Sequence, residues 1–379
     1  MRDSQTAETP SPKSAEAEPA ARDDHPLIVC CASIPDRRWR WFEPQFADRT
    51  RWEFHYATSV GLRAARIPYV SAVAQTYQCW RAVRSAKRNR AEMLITHDPR
   101  VTFRAARLQK AVGARMPHVA WSFNFDSLPR GLLRRMMARS FAHVDRFIVF
   151  SSFERALYHQ VFDIPISKIE MVYWGVGEPA VAQPESPIES GDYICAVGGN
   201  ARDYPTLMAA MELIPEIPLV VVMRPQNAVD LKIPPNVRVR LNRPLDETNN
   251  IIKFSRFMVL PLRGSDVPCG HVTLVNAMFL GRAIVITQSS GVDDYIHEDV
   301  NAVTCEAKSP EALADAIRAL WNDPERSARL GAGGRRFAEM HCTEASTKEN
   351  LDRVLREFGV GTDDPSPKPE SNAEESLLP

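Results

Sequence analysis

Between Gly264 and Thr273 the chain reads Gly-Ser-Asp-Val-Pro-Cys-Gly-His-Val-Thr, a run with the composition of an anion-binding turn. It follows a buried-strand run, Phe257 to Leu262. It opens a helix predicted over Val272 to Leu280, with an apolar face of Val272, Val275, Met278 and Phe279. The first backbone N–H groups of a helix have no internal partner, and the helix dipole favours negative charge there. Gly270, His271, Val272 and Thr273 form that tip, and Asp266 and Cys269 lie in the loop leading to it. On spacing alone the run also suits an ordinary strand-to-helix turn.

Other polar residues stand at the ends of predicted strands, where a doubly wound sheet binds its ligands. The run Ala196 to Leu207 places Gly198 and Gly199 after one strand, and a Gly-Gly pair lets backbone approach a ligand closely. Arg202 and Asp203 follow. Arg263 comes just past the strand before the anion-binding loop, and Arg243 sits in the Leu241 to Leu245 loop. His97 and Asp98 end one N-terminal strand, and Asn124 lies near the end of the next. A lone arginine in a turn is usually solvated and a lone histidine usually structural.

Two segments mix aromatic or aliphatic side chains with arginines. Arg37 to Phe42 reads Arg-Arg-Trp-Arg-Trp-Phe, offering Arg38, Trp39 and Trp41. Gly131 to His143 places Leu133, Met136, Met137, Ser140 and Phe141 on one helical face, with Arg134, Arg135 and Arg139 beside or across from it. Both suit a membrane interface, where rings and alkyl chains dip in and arginines meet anionic headgroups. A core helix with a solvated face is the commoner case.

These residues need a frame, and the pattern supplies two. Strand runs at Leu27–Ala32, Met93–His97, Val119–Phe125, Phe147–Ser151 and Ile169–Trp174 alternate with helical stretches at 73–87, 101–112, 131–143 and 153–161. A Pro- and Glu-rich linker over 179–191 follows. The alternation restarts with strands at 193–197, 219–223, 237–241, 257–262, 284–287 and 302–305 and helices at 205–213, 247–254, 272–280 and 310–322. Alternating strands and helices argue an α/β fold of two parallel sheets, two Rossmann-like doubly wound domains facing across a cleft. The expected division is a leader over 1–25, an N-terminal domain over 26–178, the linker, a C-terminal domain over 192–342, a helix at 343–360 crossing back, and a tail over 361–379.

Composition narrows the partners. At 379 residues, with 29 prolines, the chain suits two soluble domains with short connections. No apolar run approaches the roughly 18 residues of a membrane span. The leader lacks the apolar stretch of a secretory signal. Seven scattered cysteines without metal spacing read as small core residues in a reducing cytoplasm. A formal net charge of zero hides an asymmetry: residues 26–150 hold 22 Lys and Arg against 8 Asp and Glu, a net of +14. Residues 151–379 hold 22 against 33, a net of −11. A half this basic attracts an anionic surface or substrate. No nucleic-acid-binding module is recognisable.

The stretch Val259 to Ile296 resembles the signature of retaining glycosyltransferases of the GT-B fold, the group 1 family. Leu260-Pro261, Leu274 to Met278, Gly281, Ile284 to Thr287, Gly291 and Asp294 to Ile296 carry the match. The family's two glutamates, eight positions apart, fall on Pro268 and Asn276. The resemblance implies a nucleotide-sugar donor, with the diphosphate at the helix tip and against Arg202, and with Gly199 allowing close approach. Thr273 would add a hydroxyl. Asn276 takes the place of the carboxylate on the ribose hydroxyls, and Arg243 approaches the base. Asp266, with Cys269, is the nearest substitute for the glutamate on the donor sugar. His97, Asp98 and Asn124 would face the reacting sugar and acceptor from the N-terminal side.

A retaining sugar transferase is therefore expected, with a UDP-linked donor as substrate, no cofactor and no metal. Its expected acceptor is a membrane lipid such as diacylglycerol, reached from the cytoplasmic face. Two alternatives stay open: a transferase for a soluble or polysaccharide acceptor, and a non-catalytic nucleotide-sugar-binding or membrane-docking protein.

Overall fold

The computed structural model describes residues 25–33, 43–57, 70–125, 127–264 and 268–361. Asp266, the Arg38, Trp39 and Trp41 cluster, the leader before His25 and the tail after Gly361 lie outside them.

The N-terminal half runs β1 (Leu27–Ala32), β2 (Arg51–Tyr56), α1 (Val70–Arg88), β3 (Met93–His97), α2 (Pro99–Ala111), β4 (His118–Trp121), α3 (Gly131–Phe141), β5 (Arg146–Val149), α4 (Ser152–Phe162) and β6 (Ile169–Met171). Its sheet is parallel throughout, in the order β2-β1-β3-β4-β5-β6. The C-terminal half runs β7 (Ile194–Val197), α5 (Tyr204–Leu213), β8 (Leu219–Met223), β9 (Val237–Leu241), α6 (Leu245–Phe254), β10 (Met258–Leu260), α7 (His271–Phe279), β11 (Ile284–Thr287), β12 (Val303–Cys305), α8 (Pro310–Trp321), α9 (Pro324–His341) and α10 (Glu344–Glu357). Its sheet, again parallel, has the order β12-β11-β10-β7-β8-β9.

Central strands of such sheets are covered on both faces and so read as unbroken apolar runs. β1, β3, β7, β8 and β11 are buried along their whole length. β2 differs, because Trp52, Phe54 and Tyr56 alternate with polar residues on a half-buried edge. That edge strand was not among the predicted ones, and neither was α9. The predicted strand over Val119–Phe125 stops at Trp121, because Ser122 turns to a left-handed φ of 52°. Phe123 and Phe125 then drop into an aromatic cluster with Phe141, Phe147 and Tyr158.

The chain order reverses between β1 and β3 in one sheet and between β7 and β10 in the other. Ligands of open α/β sheets bind beyond the strand ends at such switch points. The two halves are fastened around them. Tyr295 Oη donates to Phe150 O at 2.9 Å and accepts from Trp174 N at 2.8 Å. Asp294 accepts from Ser152 N at 2.7 Å, at the start of α4.

Helix α10 packs Leu351, Val354 and Leu355 against Ile28, Met93 and Ile148 of the N-terminal sheet. The Pro- and Glu-rich linker is a strap on the second half. Asn249 and Asn250 on α6 donate to Ala180 O and Ala182 O at 2.8 and 2.7 Å. Glu189 is buried against Arg240 at 2.6 and 3.0 Å.

Candidate functional site

A cleft of about 680 Å³ opens between the sheets, lined by the turns after β1, β3, β4, β7, β8 and β9 and by the start of α7. It brings together His97, Asp98, Asn124, Gly199, Arg202, Arg243, Cys269, Gly270, His271, Val272, Thr273 and Asn276, twelve of the positions singled out from sequence.

Arg202 is its most unusual member. Only 4% exposed, it donates from Nε to Val197 O (3.1 Å), from Nη1 to Asn200 O (2.9 Å) and from Nη2 to Thr273 Oγ1 (3.1 Å). Burial lowers its pKa from the usual arginine value. No carboxylate pairs with it among the described residues. A buried guanidinium with only neutral partners is costly unless an anion completes it. The glycines make its place possible. A Cβ on Gly198, whose φ is +121°, would stand 2.6 Å from Arg202 Nη2. One on Gly199 would stand 2.7 Å from Cδ of Arg224, which folds over it.

The tip of α7 adds to the same field. Its N-cap is Gly270 at φ 114°, no side chain among the described residues caps it, and its first turn carries no acidic residue. The helix therefore leaves its positive end to the cleft. Val272 corrects the expected apolar face: Leu274, Val275, Ala277 and Met278 fill the core, whereas Val272 is 46% exposed and lines the cleft. In the first turn at the helix tip, that position meets solvent before it meets packing. His271 is buried against Phe150 and Tyr295, with ring centroids at 6.3 and 5.1 Å. Burial pulls its pKa down to about 4, so the ring is neutral at pH 7, and its Nε2 has no hydrogen-bond partner among the described residues.

Asn276, further along α7, is buried on the cleft floor and donates to Asn249 Oδ1 at 3.3 Å. Arg243 stands on the rim and pairs with Glu247 at 3.4 Å. On the facing half, His97 closes β3, and its burial lowers its pKa to about 4. Asp98 has a more structural place than expected, since Oδ1 caps α2 by accepting from Arg100 N (2.7 Å) and Val101 N (3.3 Å). Asn124 Nδ2 reaches Glu154 Oε1 at 2.7 Å and, across the cleft, Pro268 O at 3.4 Å.

Arg263 is not part of this cleft. Its Nε donates to Arg202 O at 3.0 Å, and its side chain lines a separate pocket with Ser289 and Lys308. The expected face of α3 also divides. Met137, Ser140 and Phe141 are buried, because the aromatic cluster claims them, so they are not available to a membrane. Arg134 is half-buried and donates to Val161 O at 2.7 Å. Leu132 and Leu133, 72% and 50% exposed, stand out beside exposed Arg135 and Arg139.

Sequence reasoning missed Arg224, Ser122 and Glu154. Arg224 follows β8, lines the cleft and donates to Asn200 Oδ1 at 2.9 Å. The strand-end rule that flagged Arg202 applies equally to it. Ser122 lines the cleft with a buried Oγ that finds no partner among the described residues, and no sequence signal marks it. Among the described residues, no three His, Cys, Asp or Glu side chains gather as a metal site would require.

Comparison with known proteins agrees with this frame. Residues 193–323 match the family described as glycosyl transferases group 1. A curated relative, D-inositol 3-phosphate glycosyltransferase 1 of Catenulispora acidiphila, is 30% identical over 128 residues, 34% of this chain. The match spans 29% of that relative's length. Sucrose-phosphate synthase from Thermosynechococcus elongatus superposes with a TM-score of 0.70 at 13% identity, covering 89% of this chain and all of the other. HepE of Anabaena in complex with UDP-glucose gives 0.66 at 12% identity, covering 88% and 100%. The second half thus carries the group 1 signature, and the whole has the two-domain GT-B fold.

Proposed function

We propose that this chain is a retaining glycosyltransferase that takes a sugar from a nucleotide-diphosphate donor, UDP-linked, and passes it to a lipid hydroxyl at a membrane surface. The observation that carries the reading is Arg202: a buried cation with no carboxylate beside it among the described residues, held by Thr273 at a helix tip that no described side chain caps. A pyrophosphate supplies the missing charge. The curated relative is named a glycosyltransferase, and the HepE structure holds UDP-glucose, which favours the same donor class.

The chemistry follows from charge. Breaking the glycosidic bond leaves negative charge on the pyrophosphate, and donors already oriented toward it lower the barrier most. Arg202, Arg224 and the first-turn N–H groups of α7 are those donors, and this reading assigns no metal. Retention fits attack by the acceptor hydroxyl from the face the diphosphate leaves, with the departing phosphate taking the hydroxyl proton. Pro268 and Asn276 in place of the family's glutamates then remove no nucleophile.

The lipid acceptor rests on the basic first half and on Leu132 and Leu133 exposed among arginines. It implies peripheral attachment at the cytoplasmic face. Incubating the protein with UDP-sugars and lipid extract tests both parts. The expected outcome is UDP release with a new glycolipid. UDP release only with soluble saccharides overturns the acceptor, and no turnover with any donor overturns the reaction.

A further inference from the structure

Glu154 is a fully buried carboxyl whose environment the donor site does not explain. It sits in the first turn of α4, where Ser151 Oγ caps the helix by accepting from Glu154 N at 3.2 Å. Its carboxylate reaches back past the cap. Oε2 accepts from Phe150 N at 2.9 Å and from Ser151 Oγ at 3.2 Å. Oε1 accepts from Asn124 Nδ2 at 2.7 Å and from Tyr158 Oη at 3.1 Å. A buried carboxylate with no cation beside it, among the described residues, is retained at a cost that an apolar side chain would avoid.

Its effect falls on Asn124. The Asn124 nitrogen touches two oxygens, Glu154 Oε1 and, at 3.4 Å, the carbonyl of Pro268. An ionised carboxylate and a backbone carbonyl can only accept, so the amide has one allowed orientation. The other branch of the amide, Oδ1, is left on a residue that lines the cleft beside His97 and Cys269. We propose that Glu154 is a positioning residue, whose carboxylate fixes Asn124 so that the cleft meets an amide carbonyl, an acceptor for one hydroxyl of the donor sugar. This rests on the nucleotide-sugar reading of the same cleft.

Protonation reverses the arrangement. Burial pushes the Glu154 pKa up to about 7, against the hydrogen bonds that lower it. Protonated Glu154 has an O–H to place. Ser151 Oγ and Tyr158 Oη each accept one backbone N–H, from Glu154 and Phe125, and point their own hydrogens at the carboxyl. The Asn124 carbonyl takes that proton after a half-turn of the amide, which gives up the long 3.4 Å bond to Pro268 O, and the cleft then meets an NH₂. The titratable groups facing this cluster are Tyr158 on α4, Cys269 and His271 at the start of α7, and Asp294 and Tyr295 beyond β11. His271 is held neutral and the tyrosines are pushed upward by burial, so none of these three changes charge between pH 6 and 8.

Calorimetric titration of the full chain with UDP, and with UDP-glucose, UDP-galactose and UDP-N-acetylglucosamine, tests this at pH 8 and pH 6. The ratio of the UDP Kd to the UDP-sugar Kd isolates the sugar contribution. The wild type is expected to gain from one of these sugars at pH 8 and to lose most of that gain at pH 6. Glu154→Gln must offer its NH₂ to Asn124, because Phe150 N claims its oxygen. UDP binding is then expected within twofold of wild type, with the sugar gain reduced about fivefold to tenfold, the worth of one hydrogen bond, at both pH values. Asn124→Ala is expected to lose the same gain and the pH response, and it decides the matter should Glu154→Gln not fold. A sugar gain with its pH response intact in either variant overturns the proposal, as does a wild type that gains from no sugar. A wild type that binds no UDP at all overturns the donor reading itself, before any sugar is compared.

Discussion

Arg202 and Thr273, 71 positions apart, meet at 3.1 Å where the turn after β7 touches the first turn of α7. This contact joins the two elements that flank the switch point of the second sheet. It aims a buried guanidinium and a helix dipole at the same volume. Thr273→Val keeps the shape of that side chain and removes the hydroxyl. The expected result is a UDP affinity about fivefold to tenfold weaker, since one guanidinium N–H loses its anchor and one polar contact disappears. Calorimetry on folded protein checks it, and unchanged affinity would show that Arg202 needs no such anchor.

Gly199 is open for a different reason. Its missing side chain leaves room for Arg224, whose Cδ would lie 2.7 Å from an added Cβ. Gly199→Ala is expected to push Arg224 out of the cleft and weaken UDP binding several-fold. Because Arg224 is exposed, thermal stability should hardly change. A variant that binds UDP as the wild type does removes Arg224 from the phosphate site.

The clasp between the halves predicts a stability effect. Tyr295→Phe removes the hydroxyl that bonds the carbonyl of Phe150 and the backbone N–H of Trp174. Losing two such hydrogen bonds costs about 2 kcal/mol or more. Thermal unfolding should shift down, and small-angle scattering should report a larger radius of gyration as the halves loosen. An unchanged melting point and radius would mean that the clasp carries no weight.

Acid lability follows from three buried histidines. Burial pulls His97 and His271 down to about 4 and His118 to about 3, all below the usual 6.5. Each is neutral when folded, so its stabilising contribution is full above about pH 6.5 and drains away as the pH falls toward 4. Glu154 acts the other way: its raised pKa of about 7 penalises the fold at high pH, and that penalty is relieved as the pH falls toward 4.5. Each histidine is worth roughly 2 to 3 kcal/mol at pH 4.5, so three outweigh one glutamate. Melting temperature should fall steadily from pH 7 to pH 4.5. A flat profile would show these rings to be hydrated in solution.

Much of this architecture was readable because central parallel strands are apolar throughout and end in polar turns. β1, β3, β8, β9 and β11 match the predicted runs to the residue. The turn after β7 and the tip of α7 were flagged by glycines and by a change of period, which are local signals. What escaped notice depends on contacts distant in sequence. Arg224 matters because Gly199 lies beneath it, and Glu154 because Asn124, 30 positions away, meets it. The α3 face was misjudged because periodicity cannot distinguish a core from a lipid, and here Phe123, Phe147 and Phe162 take Phe141 inward.

A diphosphate held against Arg202 is what the proposed donor chemistry requires. Titrating UDP into purified wild type, Arg202→Lys and Arg202→Ala measures it directly. Saturable wild-type binding is expected, with the alanine variant weaker by about a hundredfold, the usual worth of a charge-assisted hydrogen bond, and lysine in between. Equal UDP affinity in all three proteins, or none in the wild type, would show that Arg202 holds no diphosphate.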